Sequence, residues 1–290
     1  MLRPVLEVVD RIVAALPSRV AYALADLAGD LWHRFAPGRR RLVAANLARV
    51  CAATGRPTRG PAFSVLVRAA FRNHARYYVE LLRAPHYRMD RIDEHVETPD
   101  WDRFLPLLRD GPAMLLSSHL GNFEPFGTFI AAHGVRPLSP IEEIRPRALY
   151  EFLAARRGAS RVDLVPLGEA GRAVVKRLRA GGVVGIIADR DLAGDGQPVT
   201  MFGHPTTLSP GPAALAVAHR AHLIVGKCLR VGPDRFRGEG RILEVPDSGD
   251  RRGDTRVLVE RIAACFERDI GEAPEQWWGA FQPFWPDLRR

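Results

Sequence analysis

From Leu6 to Arg83 apolar residues recur at intervals of three and four, the spacing of one side of a helix. The pattern predicts helices over Leu6–Leu16, Val20–Phe35, Arg41–Cys51 and Ala62–Arg83, with breaks at Pro17-Ser18, at Pro37-Gly38 and in the turn-rich stretch Thr54–Pro61. In the first helix Val5, Val8, Val9, Ile12, Val13 and Leu16 share a side, which suits packing on the protein or lying on a bilayer. In the last, Phe63, Leu66, Ala70, Phe71, Tyr77 and Leu81 make the side expected to be buried.

From about residue 110 the period changes. Ala113–Ser117 reads as a strand, followed by a turn and an apolar helix through about Ala132. Val162–Pro166 is a second strand, and Glu169–Ala180 a helix stopped by Gly181-Gly182. Val183–Ala188 reads as a buried strand. Ser209 can cap a helix from Gly211 to about Ala221, and His222–Leu229 is another strand. Strands alternating with helices predict an α/β fold with a central, mostly parallel or mixed sheet flanked by helices. The expected organisation is one domain over 1–290: a helical, membrane-facing N-terminal region over 1–95 and an α/β catalytic core over 110–290.

The composition, 47% hydrophobic and 26% charged, is that of a folded chain with a sizeable core. Charge adds more. Lys and Arg number 42 against 33 Asp and Glu, a net of +9, so the surface is expected to meet an anionic partner. The excess is mostly Arg and is spread along the chain. No RNP-like strand, zinc-finger spacing or basic zipper accompanies it, so nucleic acid is not expected. Cys51, Cys228 and Cys265 lie far apart, which argues against a disulfide framework and a zinc site. No apolar run reaches the roughly 18 to 20 residues of a spanning helix. Glu7, Asp10 and Arg11 interrupt the first apolar stretch and argue against a signal-peptide core. The run Arg39-Arg40-Arg41 reads as a solvated helix start or a contact to phosphate or a lipid headgroup.

The candidate chemistry lies in Ser117-Ser118-His119-Leu120-Gly121-Asn122-Phe123-Glu124, between a buried strand and a helix. Reactive groups in open α/β sheets gather at such strand ends. His119 and Glu124 meet only if the histidine is in the turn and the glutamate in the first helical turn. Gly121 permits the turn, Asn122 is a good N-cap, and Pro125 is tolerated early in a helix. A carboxylate beside a histidine fixes its tautomer and stabilises the imidazolium, which makes a general base for a hydroxyl. No G-x-S-x-G elbow is present, so direct attack of an acceptor hydroxyl on an activated ester is the simpler route. From the residues alone, a structural role for the pair remains the commoner reading.

The ordered set Ser117–Glu124 (SSHLGNFE), Ala188–Gly196 (ADRDLAGDG) and Leu208–Ala218 (LSPGPAALAVA) resembles the lipid A biosynthesis late acyltransferase family of the glycerolipid acyltransferase superfamily. It is closest to the actinobacterial phosphatidylinositol mannoside acyltransferases, a resemblance shared by Arg40-Arg41-Leu42, Ala45-Asn46-Leu47 and Gln276–Trp285 (QWWGAFQPFW). The resemblance implies that His119 is the general base and Glu124 its orienting carboxylate, in the family's H-x₄-D/E motif. It implies a charged rim, with Glu142, Arg156 and Arg157 as candidates to contact donor and acceptor, and Asn122 beside them. Directly after the Val183–Ala188 strand, Arg190 is a candidate for a phosphate or the thioester carbonyl, and Asp189 and Asp191 for sugar hydroxyls or for holding Arg190. D-x-D is also a metal signature in glycosyltransferases; no metal and no cofactor is expected here. Trp277, Trp278, Phe281, Phe284 and Trp285 suit an acyl tunnel, a membrane anchor or the core. His219 and His222 read as structural.

The function implied is transfer of a fatty acyl group from acyl-CoA or acyl carrier protein to a lipid-linked acceptor such as phosphatidylinositol mannoside. An anionic membrane surface is the second expected partner, and the expected place is the cytoplasmic face of the inner membrane, peripherally bound. The same chemistry on lipid A or a secondary-metabolite alcohol, and a non-catalytic lipid-binding protein, are the alternatives.

Overall fold

The computed structural model describes residues 2–159 and 161–288. Four helices come first: α1 (Leu2–Ala15), α2 (Ser18–Phe35), α3 (Pro37–Ala53) and α4 (Pro61–Arg83). The break expected at Pro37-Gly38 falls at Ala36, between α2 and α3, and Pro37 opens α3 earlier than the expected Arg41, at a position where its missing N–H costs nothing. Then follow β1 (Val96–Glu97), α5 (Trp101–Arg109), β2 (Ala113–Ser117), α6 (Phe123–Ala132), β3 (Leu138–Ile141), α7 (Arg147–Ala159), β4 (Asp163–Pro166), α8 (Ala170–Arg179) and β5 (Val183–Ile187). The chain continues through β6 (Gln197–Met201), β7 (His204–Leu208), α9 (Gly211–His219), β8 (His222–Gly232), β9 (Arg235–Leu243) and α10 (Arg251–Glu272).

Among the described residues seven strands form one sheet, ordered β1-β9-β8-β2-β5-β3-β4. β8, β2, β5, β3 and β4 run parallel, while β8 and β9 pair as an antiparallel hairpin. Alternation along each strand sends side chains to two cores. Met114 and Leu116 of β2, Val184 of β5 and Leu223 and Val225 of β8 pack on one face with Leu47 of α3, Leu178 of α8, Ala216 of α9 and Phe266 of α10. Ala113, Val183 and Ile224 turn to the other face, onto Trp101, Phe104 and Leu108 of α5 and Phe129 and Ile130 of α6. The aromatic segment after α10 belongs to the first core: Trp277 and Trp285 are fully buried.

The N-terminal helices invert the usual surface pattern. On α1 it is Val5, Val8, Val9 and Ile12 that are exposed, while Asp10 is buried. On α2, Val20, Leu24, Leu27, Leu31 and Phe35 are exposed. Its inner side is Ala21, Tyr22, Ala25 and Gly29, packed on α4. Asp26 pairs with Arg76 and Asp30 with Arg68 and Arg72 across that contact. Among the described residues no helix is long and apolar enough to cross a membrane.

Candidate active site

The parallel register of β2 and β5 sets Ser117 level with Ile187. Two residues beyond each strand end stand His119 and Asp189, and their side chains meet: Nδ1 of His119 is hydrogen-bonded to Oδ1 of Asp189. A carboxylate only accepts, so Nδ1 carries a proton and, when the ring is neutral, Nε2 carries the lone pair. The other Asp189 oxygen accepts from Nε1 of Trp277 at 3.2 Å. Burial would push the Asp189 carboxyl up, but the charge of His119 and the hydrogen bonds from His119 and Trp277 outweigh it and hold it below the ordinary carboxylate range. The His119 side chain is 14% exposed and that of Asp189 0%, so the ring keeps some access to solvent while the carboxylate is sealed. The Trp278 indole stands edge-to-face on the His119 ring at 4.4 Å.

Backbone bonds hold the turn. The His119 carbonyl accepts from the N–H groups of Trp278 (2.9 Å) and Gly279 (3.3 Å). The Gly121 N–H donates to the Gln276 carbonyl at 3.0 Å, and the Asn122 N–H to the Cys228 carbonyl at 2.8 Å. Gly121 is required twice over: its φ is +65°, and a Cβ there would lie 2.0 Å from the Cys228 carbonyl oxygen.

Glu124, expected at the His119 ring, is engaged elsewhere. Its carboxylate accepts from Nε of Arg157 at 2.6 Å and from the Tyr77 hydroxyl at 3.3 Å, and Arg157 also donates to Tyr77 at 2.9 Å. The reason is direction: Glu124 lies in the first turn of α6, packed toward α4 and α7, while the ring turns along the sheet toward β5. Asn122 caps α6 as the sequence suggested, accepting from the Glu124 N–H at 2.9 Å. It is 0% exposed, so its side chain lies in the interior and not at a substrate surface. Arg156 faces away from Arg157 and pairs with the buried Asp10 of α1 at 3.0 Å.

Arg190 is held at the exposed rim by Glu142 at 3.1 Å. Asp191 folds its own loop, accepting from the N–H groups of Gly194 (2.9 Å) and Gly196 (3.0 Å) and from the Thr207 hydroxyl (2.8 Å). Sequence reasoning missed Tyr77 as a site residue and the joining of His119 to Asp189; only the strand register shows the latter.

Beneath the turn, between β2, β8 and β9 on one side and α5 and α6 on the other, lies an apolar cavity of about 50 Å³. Trp101, Phe104, Leu115, Phe126 and Ile224 line it, and Ser117, Phe123 and Cys228 line it close to the His119 turn.

The profile described as bacterial lipid A biosynthesis acyltransferase matches residues 6–285. A phosphatidylinositol mannoside acyltransferase of Mycolicibacterium smegmatis is 28% identical over 226 residues, covering 76% of this chain and 72% of that protein. Proteins of the same name from two Mycobacterium tuberculosis strains are each 29% identical over 249 residues, covering 83% of this chain and 75% of theirs.

Proposed function

The chain belongs to the bacterial lipid A biosynthesis acyltransferase family, enzymes that transfer acyl groups, and on that premise we propose that it moves a fatty acyl group from a thioester to a hydroxyl of a glycolipid of the phosphatidylinositol mannoside class. The observation that carries the chemistry is the His119–Asp189 pair at the level ends of two parallel strands. Nε2 of His119 takes the proton of the acceptor hydroxyl as its oxygen attacks the thioester carbonyl. The tetrahedral intermediate collapses, the C–S bond breaks, and the imidazolium returns the proton to the leaving thiolate. Asp189 holds the tautomer and stabilises the imidazolium. No covalent acyl-enzyme is required.

The acyl donor is acyl-CoA or an acylated carrier protein. Its chain enters the apolar cavity beneath Ser117 and Phe123, and Phe104 and Phe126 turn aside to lengthen a space now smaller than a long chain. Arg190, at the rim with Glu142, meets phosphate of donor or acceptor. Arg157 and Glu124 brace α6 behind the base. The exposed apolar sides of α1 and α2, with the net charge of +9, hold the protein peripherally on an anionic membrane at the cytoplasmic face, where a lipid acceptor resides.

The test is release of free CoA from palmitoyl-CoA with and without added phosphatidylinositol mannoside. Release is expected to depend on the acceptor and to fall by about 10² to 10⁴-fold in His119→Ala. Asp189→Asn is expected to lose kcat to a similar degree, with KM little changed, since it removes the orienter and not a substrate contact. Acceptor-dependent release that survives His119→Ala would overturn the assignment of the base, and release that ignores the glycolipid would overturn that of the acceptor.

A further inference from the structure

Asn122 has a second bond besides its cap. Its Nδ2 donates at 2.7 Å to Oε2 of Glu80, a carboxylate on α4 that is 0% exposed. Glu80 is held in turn by the Tyr22 hydroxyl of α2 at 2.8 Å and by the guanidinium of Arg230 on β8, whose Nη2 lies 2.7 Å from Oε2. Arg230 also donates to Asn73 at 2.5 Å. The backbone N–H and carbonyl of Arg230 both bond the Gln276 side chain, at 2.9 and 3.1 Å. The Gln276 carbonyl in turn receives the Gly121 N–H. Gly121 and Asn122, the two residues that end the His119 turn, are therefore tied to one buried cluster.

We propose that Glu80 is a positioning residue: with Arg230 as its counter-ion, it sets through Asn122 where the His119 turn stands relative to Asp189. The proposal rests on the reading of His119 as the base. Its physical ground is the choice of side chain at position 122. Capping α6 needs only an acceptor, and Ser or Asp serves as well as Asn. Reaching Glu80 needs a donor of amide length. Aspartate there would cap, but would set a carboxylate against the Glu80 carboxylate. A buried ion pair is a poor source of stability compared with apolar packing, but in some proteins it serves to fix geometry. Geometry matters in this turn, where an error of about 1 Å can cost 10²-fold in rate.

Three variants separate positioning from folding. Asn122→Ser keeps the cap and leaves the Glu80–Arg230 pair intact, but is too short to reach Glu80. Asn122→Asp adds the repelling charge. The double variant Asn122→Asp with Glu80→Gln reverses donor and acceptor at unchanged total charge. Acceptor-dependent CoA release, the urea midpoint and the downfield proton resonance of the His119 Nδ1–H, identified by its loss in His119→Ala, are measured on each. Asn122→Ser is expected to unfold near the wild-type midpoint while kcat drops roughly 10 to 10²-fold at constant KM, with the resonance broadened or lost. Asn122→Asp is expected to be worse, and the double variant to bring kcat and resonance back toward wild type.

The proposal falls if Asn122→Ser keeps wild-type kcat and resonance, or if the folded double variant is no better than Asn122→Asp. Should wild type itself show no acceptor-dependent release, the assigned reaction has failed. The resonance alone then decides positioning: lost in Asn122→Ser and restored in the double variant supports it, and unchanged in Asn122→Ser overturns it.

Discussion

His74 of α4 sits in an aromatic cage, its ring 4.3 Å from Phe281, 5.2 Å from Trp32 and 5.5 Å from Tyr78. Its Nδ1 is buried with no hydrogen-bond partner among the described residues. Burial, and then the charges of Arg39 and His119, push its pKa from 6.5 down to about 4. The folded protein therefore binds fewer protons at this site than the unfolded chain between those values, and stability must fall as pH drops through that window. Above 6.5 the effect is absent, and by pH 4 it amounts to roughly 3 kcal/mol. His74→Phe keeps the ring contacts and removes the proton site. Urea unfolding from pH 7 to 4 is expected to show a shallower loss of stability in the variant than in wild type, and an identical slope would sink the idea. Carboxylates held low, such as Asp189, act only further into acid, below the ordinary 3.8.

The same scale shows what sequence could reveal of the site. His119 was legible because a histidine in a Gly-containing turn after a buried strand is placed by local rules. So was the Asn122 cap. The carboxylate that meets the His119 ring was not, because the nearest acid in sequence, Glu124, points along α6 toward Arg157, while Asp189 arrives across the sheet from a strand 70 residues later. Local spacing favours the former, and only pairing of β2 with β5 selects the latter. Buried charges such as Glu80 and Arg230 carry no local signal at all, since Glu80 finds its partners on α2, on β8 and at the cap of α6, and Arg230 finds its own on α4.

Among the elements, those with a clean period were readable. β2 spans the expected Ala113–Ser117, and β5, α4, α8 and α9 differ from expectation by a residue or two. β9 escaped because Arg235, Arg237 and Arg241 alternate with Phe236, Gly238 and Gly240 without an apolar stripe, and the β6–β7 hairpin because its strands are short and each carries a proline. The contact of α2 with α4 depends on a residue no period reveals. At Gly29 a Cβ would come 2.7 Å from the Arg72 Cα and 2.8 Å from the Phe71 carbonyl oxygen, backbone atoms that cannot yield. Gly29→Ala must push the helices apart. Overpacking of this kind costs about 1–3 kcal/mol, more than the fraction of a kcal/mol alanine gains in helix propensity. A lowered urea midpoint is expected, and an unchanged or raised one would mean that α2 shifts on α4 without loss.

For the molecule as a whole, the outward apolar sides of α1 and α2 are left uncovered among the described residues. Three acidic side chains of these helices face the protein, Asp10 on Arg156, Asp26 on Arg76 and Asp30 on Arg68 and Arg72, so neither helix can roll over to hide its valines and leucines without breaking those pairs. Leu24, Leu27 and Leu31 are each 50–56% exposed. A leucine carried fully into an apolar layer gains about 1.5–3 kcal/mol, so even half of that for three side chains amounts to more than a tenfold change in partitioning. The triple variant Leu24→Asn, Leu27→Asn, Leu31→Asn is thus expected to lose at least about tenfold in sedimentation with anionic lipid vesicles, while its melting temperature stays near wild type because these side chains meet solvent. Binding of wild type should also weaken with added salt, through screening of the +9 charge, and be lower on neutral vesicles. CoA release onto a detergent-dispersed acceptor should survive in the triple variant, since His119 and Asp189 lie away from these positions in the fold. Vesicle binding unaffected by the three substitutions would remove the membrane from this face and leave it to be explained by another partner.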